Sequence, residues 1–384
     1  MNSFPSRRNF LAAGLALPAV ASASHSADSE QSQTQPPARL SSESGLHYRV
    51  LGKTGMKVTT VGYGCMITSD PTVITRAVDM GINYFDTSRN YQGGQNERMV
   101  AGALGAKRKD VFLASKCDTH TGAGILAELE TSLRELNTDH LDVWHLHGLS
   151  DPAQITDELV EAQYKAKQQG KIRFVGMSTH NLPAVVDRVI EAKIEVVQAQ
   201  FNFTSGKDYA PAIEKLAKAG IGLIAMKVMA RAGGRPGQPR PKLPPDFATA
   251  ALKWAINNPT VATTVPSMTD NDQLDQNFKA MSQRFGDGDA KLLTAQLEQI
   301  KPYFCRMCGQ CTGQCPKGLP VSDMVRFVMY ADGYGQFPLG RENFQRLSAE
   351  HQSVRCSDCA TCAVRCPNGV HVAQQLSRAQ ELFA

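Results

Sequence analysis

The chain has 384 residues, enough for two or three domains at about 100–200 residues each. It is 42% hydrophobic and 20% charged, a globular balance that excludes wholesale disorder and a fibrous fold. A net charge of +5, with no basic stripe interleaved with aromatics, argues against a nucleic-acid binder. No apolar run reaches the roughly 18 residues of a membrane span, which excludes a multispanning protein.

In chain order, residues 6–11 read Ser-Arg-Arg-Asn-Phe-Leu, an apolar stretch runs from Phe10 to Val20, and Ala21-Ser22-Ala23 follow. Charge, a short apolar part and a small-residue cleavage site make up a secretory signal. Its 11 apolar residues are too few for an ordinary transmembrane helix. Arg7-Arg8 before Phe10-Leu11 resembles a bacterial twin-arginine signal, which implies export of a folded chain, to the periplasm or beyond, with its cofactors already inserted. Residues 1–23 are thus expected to be a signal peptide, and residues 24–45, rich in Ser, Gln and Pro, a disordered linker.

From Tyr48 to about Met281, short β-branched runs ending in polar or Gly residues alternate with amphipathic stretches of 10–15 residues. Val58–Gly64, Tyr84–Thr87, Val111–Ser115 and Leu141–Leu146 read as the first four strands. Arg173–Ser178, Val196–Phe201, Ile221–Met226 and Ala262–Pro266 read as the next four. Helical patterns lie between them, as at Ile125–Leu136, Asp157–Gln169 and Phe247–Ile256. Eight such units predict an α/β fold, a (β/α)8 TIM barrel over residues 46–285. An open doubly wound sheet would need a Gly-x-Gly-x-x-Gly turn after an early strand, and the first strand instead runs Gly62-Tyr63-Gly64-Cys65-Met66.

Barrel chemistry sits at the C-terminal ends of strands. The polar residues there are Asp86, Tyr91, Lys116, His145, His147, Ser178 and His180, with Gln198, Gln200 and Asn202 along strand six. Gly81-Ile82-Asn83-Tyr84-Phe85-Asp86-Thr87-Ser88, Tyr91, Asn96-Glu97, Ala114-Ser115-Lys116 and Asp142-Val143-Trp144-His145-Leu146-His147 together resemble the motifs of the aldo/keto reductase superfamily. The resemblance implies a catalytic tetrad of Asp86, Tyr91, Lys116 and His147. In physical terms Tyr91 would give a proton to a carbonyl oxygen as hydride reaches carbon, with Lys116 lowering its pKa from about 10. Asp86 would hold Lys116, and His147 would orient the carbonyl. A buried ion pair bracing the rim is the plain alternative for Asp86 and Lys116.

The resemblance further implies NAD(P)H, with Ser178 and Gln198 at amide-binding positions and Pro266-Ser267 and Gln273–Asn277 in the adenosine-phosphate segment. This chain departs from the family pattern there. Thr179 stands for Asn, Ser267 and Gln273 for basic residues, and Met226 for the aromatic that stacks on nicotinamide. Arg231, Arg235, Arg240 and Lys242 in the following Gly/Pro-rich loop could close over a pyrophosphate, or form a solvated loop.

The last third differs chemically. Cys305-x2-Cys308-x2-Cys311-x3-Cys315-Pro316 recurs as Cys356-x2-Cys359-x2-Cys362-x3-Cys366-Pro367. This is bacterial ferredoxin spacing, in which the fourth Cys of each run serves the other cluster, so two [4Fe–4S] clusters are expected in residues 286–384. Structural zinc usually shows separated pairs, and four disulfides are the other alternative in an exported protein. Pro320–Ala331 and Glu342–His351 read as helices, so the segment resembles an α-helical dicluster ferredoxin. The remaining two cysteines, Cys65 and Cys117, read as packing. The expected protein is an oxidoreductase acting on a small carbonyl or alcohol, with its clusters serving electron transfer to a protein partner. The alternatives are an electron-transfer protein whose barrel is a docking scaffold, and a barrel whose clusters never change oxidation state.

Overall fold

The computed structural model describes residues 45–233 and 242–384. The signal peptide, all but the last residue of the expected linker, and Arg235 and Arg240 lie outside the described residues. Among the described residues no helix is long and apolar enough to cross a membrane.

Strands β1 (Tyr48–Val50) and β2 (Lys57–Thr59) form an antiparallel hairpin. The barrel then runs β3 (Tyr63–Gly64), α1 (Pro71–Asp79), β4 (Tyr84–Asp86), α2 (Asn96–Leu104), β5 (Phe112–Cys117), α3 (Gly122–Glu135), β6 (Leu141–Leu146) and α4 (Asp157–Gln168). It continues through β7 (Ile172–Thr179), α5 (Leu182–Glu191), β8 (Val196–Gln200), α6 (Tyr209–Ala219), β9 (Gly222–Met226), α7 (Phe247–Asn257), β10 (Val261–Thr264) and α8 (Asn271–Lys279). Strands β3 to β10 form one sheet of eight parallel strands, each paired with its neighbour in sequence. Parallel bridges Val61–Thr264 and Gly64–Ser267 join the last strand to the first, giving the (β/α)8 architecture. Gly64 is required at this seam, because a Cβ there would lie 2.4 Å from the Val265 carbonyl oxygen.

The expected first strand, Val58–Gly64, is two pieces. Thr59 still pairs with Tyr48 in the hairpin, whereas the Gly62 N–H already donates to Thr264 O and Tyr63 pairs with Phe85 of β4. The chain changes partners between Thr60 and Gly62, so one apolar run serves two sheets. The hairpin plugs the barrel floor with Leu51, Met56 and Val58, which pack on the inward-facing Tyr84, Phe112, Val143 and Val196. Outward residues of the same strands, among them Phe85, Leu113 and Trp144, pack against the helices. This alternation is the period-two geometry of a strand.

Helix α9 (Asp287–Ile300), unread in the sequence, packs Leu293 on Phe247 of α7 and carries Ile300 into the next core. The cysteine domain follows with α10 (Val321–Val328), α11 (Phe337–Gln345), α12 (Ala349–Ser353) and α13 (Val372–Phe383). The expected helix Pro320–Ala331 leaves α geometry after Val328 and ends in a π turn, Met329–Gly333. The expected helix Glu342–His351 is broken, because the Ser348 side chain accepts from the His351 N–H and starts a new helix.

Candidate active site

Inward positions two residues apart set the layers of the barrel mouth. Above Tyr84, Ala114, Val143 and Val196 stand Asp86, Lys116, His145 and Gln198, all buried. Replacing apolar by ionic residues at the same register marks where packing ends and chemistry starts. Lys116 Nζ donates to Asp86 Oδ2 at 2.6 Å and to Thr87 O at 2.7 Å, and Gln198 Nε2 donates to Asp86 Oδ2 at 3.1 Å. Lys116 is 1% exposed, and the Asp86 carboxylate is the main group that sustains its charge.

Tyr91 opens a short turn after β4 whose next residue, Gln92, has φ of 52°, a left-handed kink that folds the loop back over the mouth. Its ring lies over Lys116 Nζ, 4.9 Å from the centroid, and edge-on to His147 at 6.1 Å. His147 follows β6, its Nδ1 3.7 Å from Asp118 Oδ1. Asp118 also accepts from Asn90 Nδ2 at 2.9 Å and from Arg346, which caps the C-terminus of α11, at 2.7 Å. Burial alone would raise the Asp118 carboxyl, but His147 and Arg346 outweigh it and hold it down at about 2.

The expected lowering of the Tyr91 pKa by Lys116 is not what the geometry produces. Burial first, and then the Asp86 charge, push Tyr91 well above its ordinary value. Lys116 faces the flat of the ring and is itself lowered by burial, with Asp86 opposing. Tyr91 is therefore a firmly protonated hydrogen-bond donor. Burial likewise lowers His147 despite Asp118, keeping the imidazole neutral. His145 sits deeper, with both ring nitrogens unpartnered, pressed against Gly176, where a Cβ would be 2.6 Å from Nδ1.

One cavity of about 650 Å³ opens on this rim. Asp86, Tyr91 and His147 line it, with Met226, Ser267 and Gln273 along another side. Lys116 stands behind Asp86. Ser178, Gln198 and Asn277 are not on the cavity wall: the Ser178 hydroxyl accepts from Gly148 N–H at 2.8 Å, Gln198 serves Asp86, and Asn277 is buried in α8. Gln273 turns its amide back to Thr269 and Asp270 at the start of α8.

The far wall comes from the cysteine domain: Met307, Gly309 and Thr312 of the first cysteine run, and Arg326, Tyr330 and Tyr334. Sequence reading missed these last three and Lys227 of the barrel. Arg326 and Tyr330 are four residues apart on one helical face, but nothing local marks that face as turned toward the barrel.

All eight tail cysteines are partly buried. Burial raises Cys305, and Cys311, Cys308 and Cys366 are the thiols near enough to add to it. Burial raises Cys356 in the same way, with Cys362, Cys315 and Cys359 beside it. The fourth cysteine of each run has thus crossed to the other triplet, as ferredoxin spacing requires. N–H groups already point at sulfur: Met307 N–H donates to Cys305 Sγ and Asn368 Nδ2 to Cys308 Sγ, both at 3.3 Å. Such bonds stabilise cluster thiolates, so the donor set fits iron–sulfur ligation. Among the described residues no three His, Cys, Asp or Glu side chains converge on a single-ion position. A four-iron cluster, with one thiolate per iron, needs wider spacing than one ion does.

Residues 69–246 match the aldo/keto reductase family, and residues 304–371 match the 4Fe-4S dicluster domain. The chain is 28% identical over 300 residues to L-galactose dehydrogenase of Arabidopsis thaliana, covering 66% of this chain and 94% of that one. It is 25% identical over 299 residues to the uncharacterized oxidoreductase YqkF of Bacillus subtilis, covering 66% and 97%. Among solved structures, the holo form of aldo-keto reductase AKR11C1 from Bacillus halodurans shares the barrel fold, with a TM-score of 0.56 at 24% identity, covering 65% of this chain and 96% of that one. About a third of the chain lies outside each of these matches. The chain carries an aldo/keto reductase domain followed by a 4Fe-4S dicluster domain, and it is an oxidoreductase of the aldo/keto reductase type.

Proposed function

We propose that the protein interconverts a small carbonyl compound and its alcohol at the barrel mouth, while two [4Fe–4S] clusters exchange electrons with a protein partner. The observation that carries this reading is the shared cavity, in which Asp86, Tyr91 and His147 face Met307, Gly309 and Thr312 of a cluster-binding loop. A structural cluster would have no need to border the substrate space.

Tyr91 donates a hydrogen bond to the carbonyl oxygen, aimed where negative charge develops on oxygen, and His147, edge-on to the Tyr91 ring, orients the carbonyl beside it. Asp86 and Lys116 lock the floor beneath Tyr91, so the hydroxyl is held in place before substrate arrives. Met226, Ser267 and Gln273 are the residues that would border NAD(P)H, which supplies hydride when bound. Cys305, Cys308, Cys311 and Cys366 would hold one cluster and Cys356, Cys359, Cys362 and Cys315 the other, and each cluster would supply one-electron exchange.

Export by the twin-arginine route, carrying the folded chain with its clusters, suits this assembly, and Arg7→Lys with Arg8→Lys should leave cluster-loaded precursor inside the cell. The function is tested by anaerobic purification with iron analysis, followed by a carbonyl and alcohol screen of the wild type and Tyr91→Phe. Turnover that needs Tyr91 supports the reading. Redox-active clusters with no turnover and no nicotinamide binding favour the electron-transfer scaffold. Hydride moves two electrons together and each cluster takes one, so NADPH alone should not reduce the clusters rapidly, whereas a low-potential one-electron donor should. Stopped-flow at the cluster absorbance reads the difference.

A further inference from the structure

The cavity holds a second tyrosine whose surroundings are opposite to those of Tyr91. Tyr330 lies in the π turn after α10, is 6% exposed and lines the cavity. π geometry inside a helix is uncommon and is often found at functional sites. Here it follows Arg326, whose Nη1 donates to the Tyr330 hydroxyl oxygen at 3.1 Å. From the barrel side, Lys227 Nζ stands 4.4 Å from the Tyr330 ring centroid and 5.0 Å from that of Tyr334. Lys227 has φ of 58°, left-handed for a residue with a side chain, at the end of β9. Its buried Nζ reaches the Tyr330 hydroxyl closely enough to favour the phenolate, and the buried Nε of Arg326 has no hydrogen-bond acceptor among the described residues. Two cationic groups thus converge on one phenol, and the nearby Asp323 is spent on Arg326 Nη2 at 2.9 Å.

We infer that the Tyr330 hydroxyl is a second proton-transferring catalytic group of the barrel cavity, contributed by the cysteine domain. In alcohol oxidation it accepts the proton of the substrate hydroxyl while Tyr91 stays protonated and holds the same oxygen. This rests on the carbonyl–alcohol reading above. The substrate O–H bond breaks and its proton goes to the Tyr330 oxygen. The carbinol C–H bond breaks with its electron pair, as hydride to an acceptor of the oxidised nicotinamide class. The alcohol is oxidised, the acceptor is reduced, and Tyr330 passes the proton to solvent. Carbonyl reduction runs each transfer in reverse.

The two tyrosines are pulled apart electrostatically. Burial would raise Tyr330, but Lys227 and Arg326 outweigh it and bring the phenol down to about 8. Tyr91, raised by burial first and then by Asp86 and Tyr330, goes the other way. Other groups facing this pocket are Tyr334, raised by burial, Arg231 beside Tyr334, and His180, which burial and then the charges of Arg326 and Lys227 keep neutral. A pair of groups driven apart in this way divides acid and base duties.

The test uses the full cluster-loaded chain. The wild-type minus Tyr330→Phe difference spectrum, titrated at the tyrosinate band, should show one phenolate forming near pH 8. No ionisation below about 10, the ordinary tyrosine value, overturns the inference. Alcohol oxidation by the wild type should rise with pH through the same limb, because the base must be ionised. Tyr330→Phe should cost about 10²–10⁴-fold and lose the limb. Lys227→Met should keep the limb and move it to higher pH. Should Tyr330→Phe lose iron or fold, Lys227→Met carries the test, and an unmoved limb overturns the inference. An unchanged rate and profile in Tyr330→Phe overturns it while leaving the functional reading intact. Absence of any alcohol or carbonyl turnover in the wild type overturns the functional reading and the catalytic role with it, and the absorbance titration still decides whether Tyr330 ionises.

Discussion

The barrel surrounds its strands with a continuous apolar shell that includes Tyr63, Phe85, Leu113, Trp144 and Val175, and closes its floor with a hairpin. The cysteine domain has a much smaller core around Met324, Phe327, Phe344 and Phe383, and cysteines including Cys305, Cys315, Cys356 and Cys366 pack along its edge. A small core buries too little apolar surface to offset chain entropy by itself, and metal–thiolate bonds then supply folding free energy. The same contrast holds for charges. The barrel buries Asp86 and Lys116 as a neutralised pair, whereas the cysteine domain brings Arg326 to meet Lys227 with a phenol between them. One region is built on a large apolar core with its buried charges paired, and the other on a small core edged by its cysteines.

Removing iron should break the comparison most visibly. Cys311→Ser, or chelation of the holoprotein, should make residues 304–371 protease-sensitive while the barrel core keeps its hydrogen-exchange protection; equal loss in both regions would show that they fold as one unit. Next comes Tyr91→Phe, expected to lower turnover by about 10²–10⁴-fold with substrate affinity nearly unchanged, as steady-state kinetics would read. Lys116→Met leaves Asp86 buried and unpaired, which should cost about 3–5 kcal/mol of barrel stability in a denaturant titration, with cluster content unaffected.

A smaller effect concerns the joint between the regions. Asp118, just after β5, pairs with Arg346, just after α11, and its carboxyl is depressed from 3.8 to about 2. A depressed carboxyl contributes stability that is present above its unfolded pKa and lost as pH falls through the folded one. That contribution, about 1–2 kcal/mol after allowance for partial exposure, should disappear between about pH 4 and pH 2. Asp118→Asn should flatten acid denaturation in that window. The smallest effect is on cofactor choice. Ser267 and Gln273 carry no charge and Asp270 stands beside them, so NADPH and NADH should bind within about tenfold, or ~1.4 kcal/mol, by titration.

Legibility in the sequence followed the range of the interaction. The strand–helix alternation survived as eight units because side-chain period is a local property, and only the run Val58–Gly64 misled, since one apolar pattern can pair with two partners. Asp86 and Lys116 could be placed together because both end neighbouring strands at known register. Ser178 and Gln198 were placed on the correct strands, but which group each hydroxyl or amide would serve was not readable, and both are engaged away from the cavity wall.

By itself the sequence determined the barrel and the two cysteine runs, because each depends on spacing within a few residues or on a repeated period. Only the tertiary structure decided that Lys116 meets the face of Tyr91 rather than its hydroxyl, and that Arg326 and Tyr330 close the same cavity some 240 residues downstream of Tyr91. The physical reason is that a pKa depends on burial and on charges within a few ångströms, and those neighbours come from packing between distant segments, which no local pattern records.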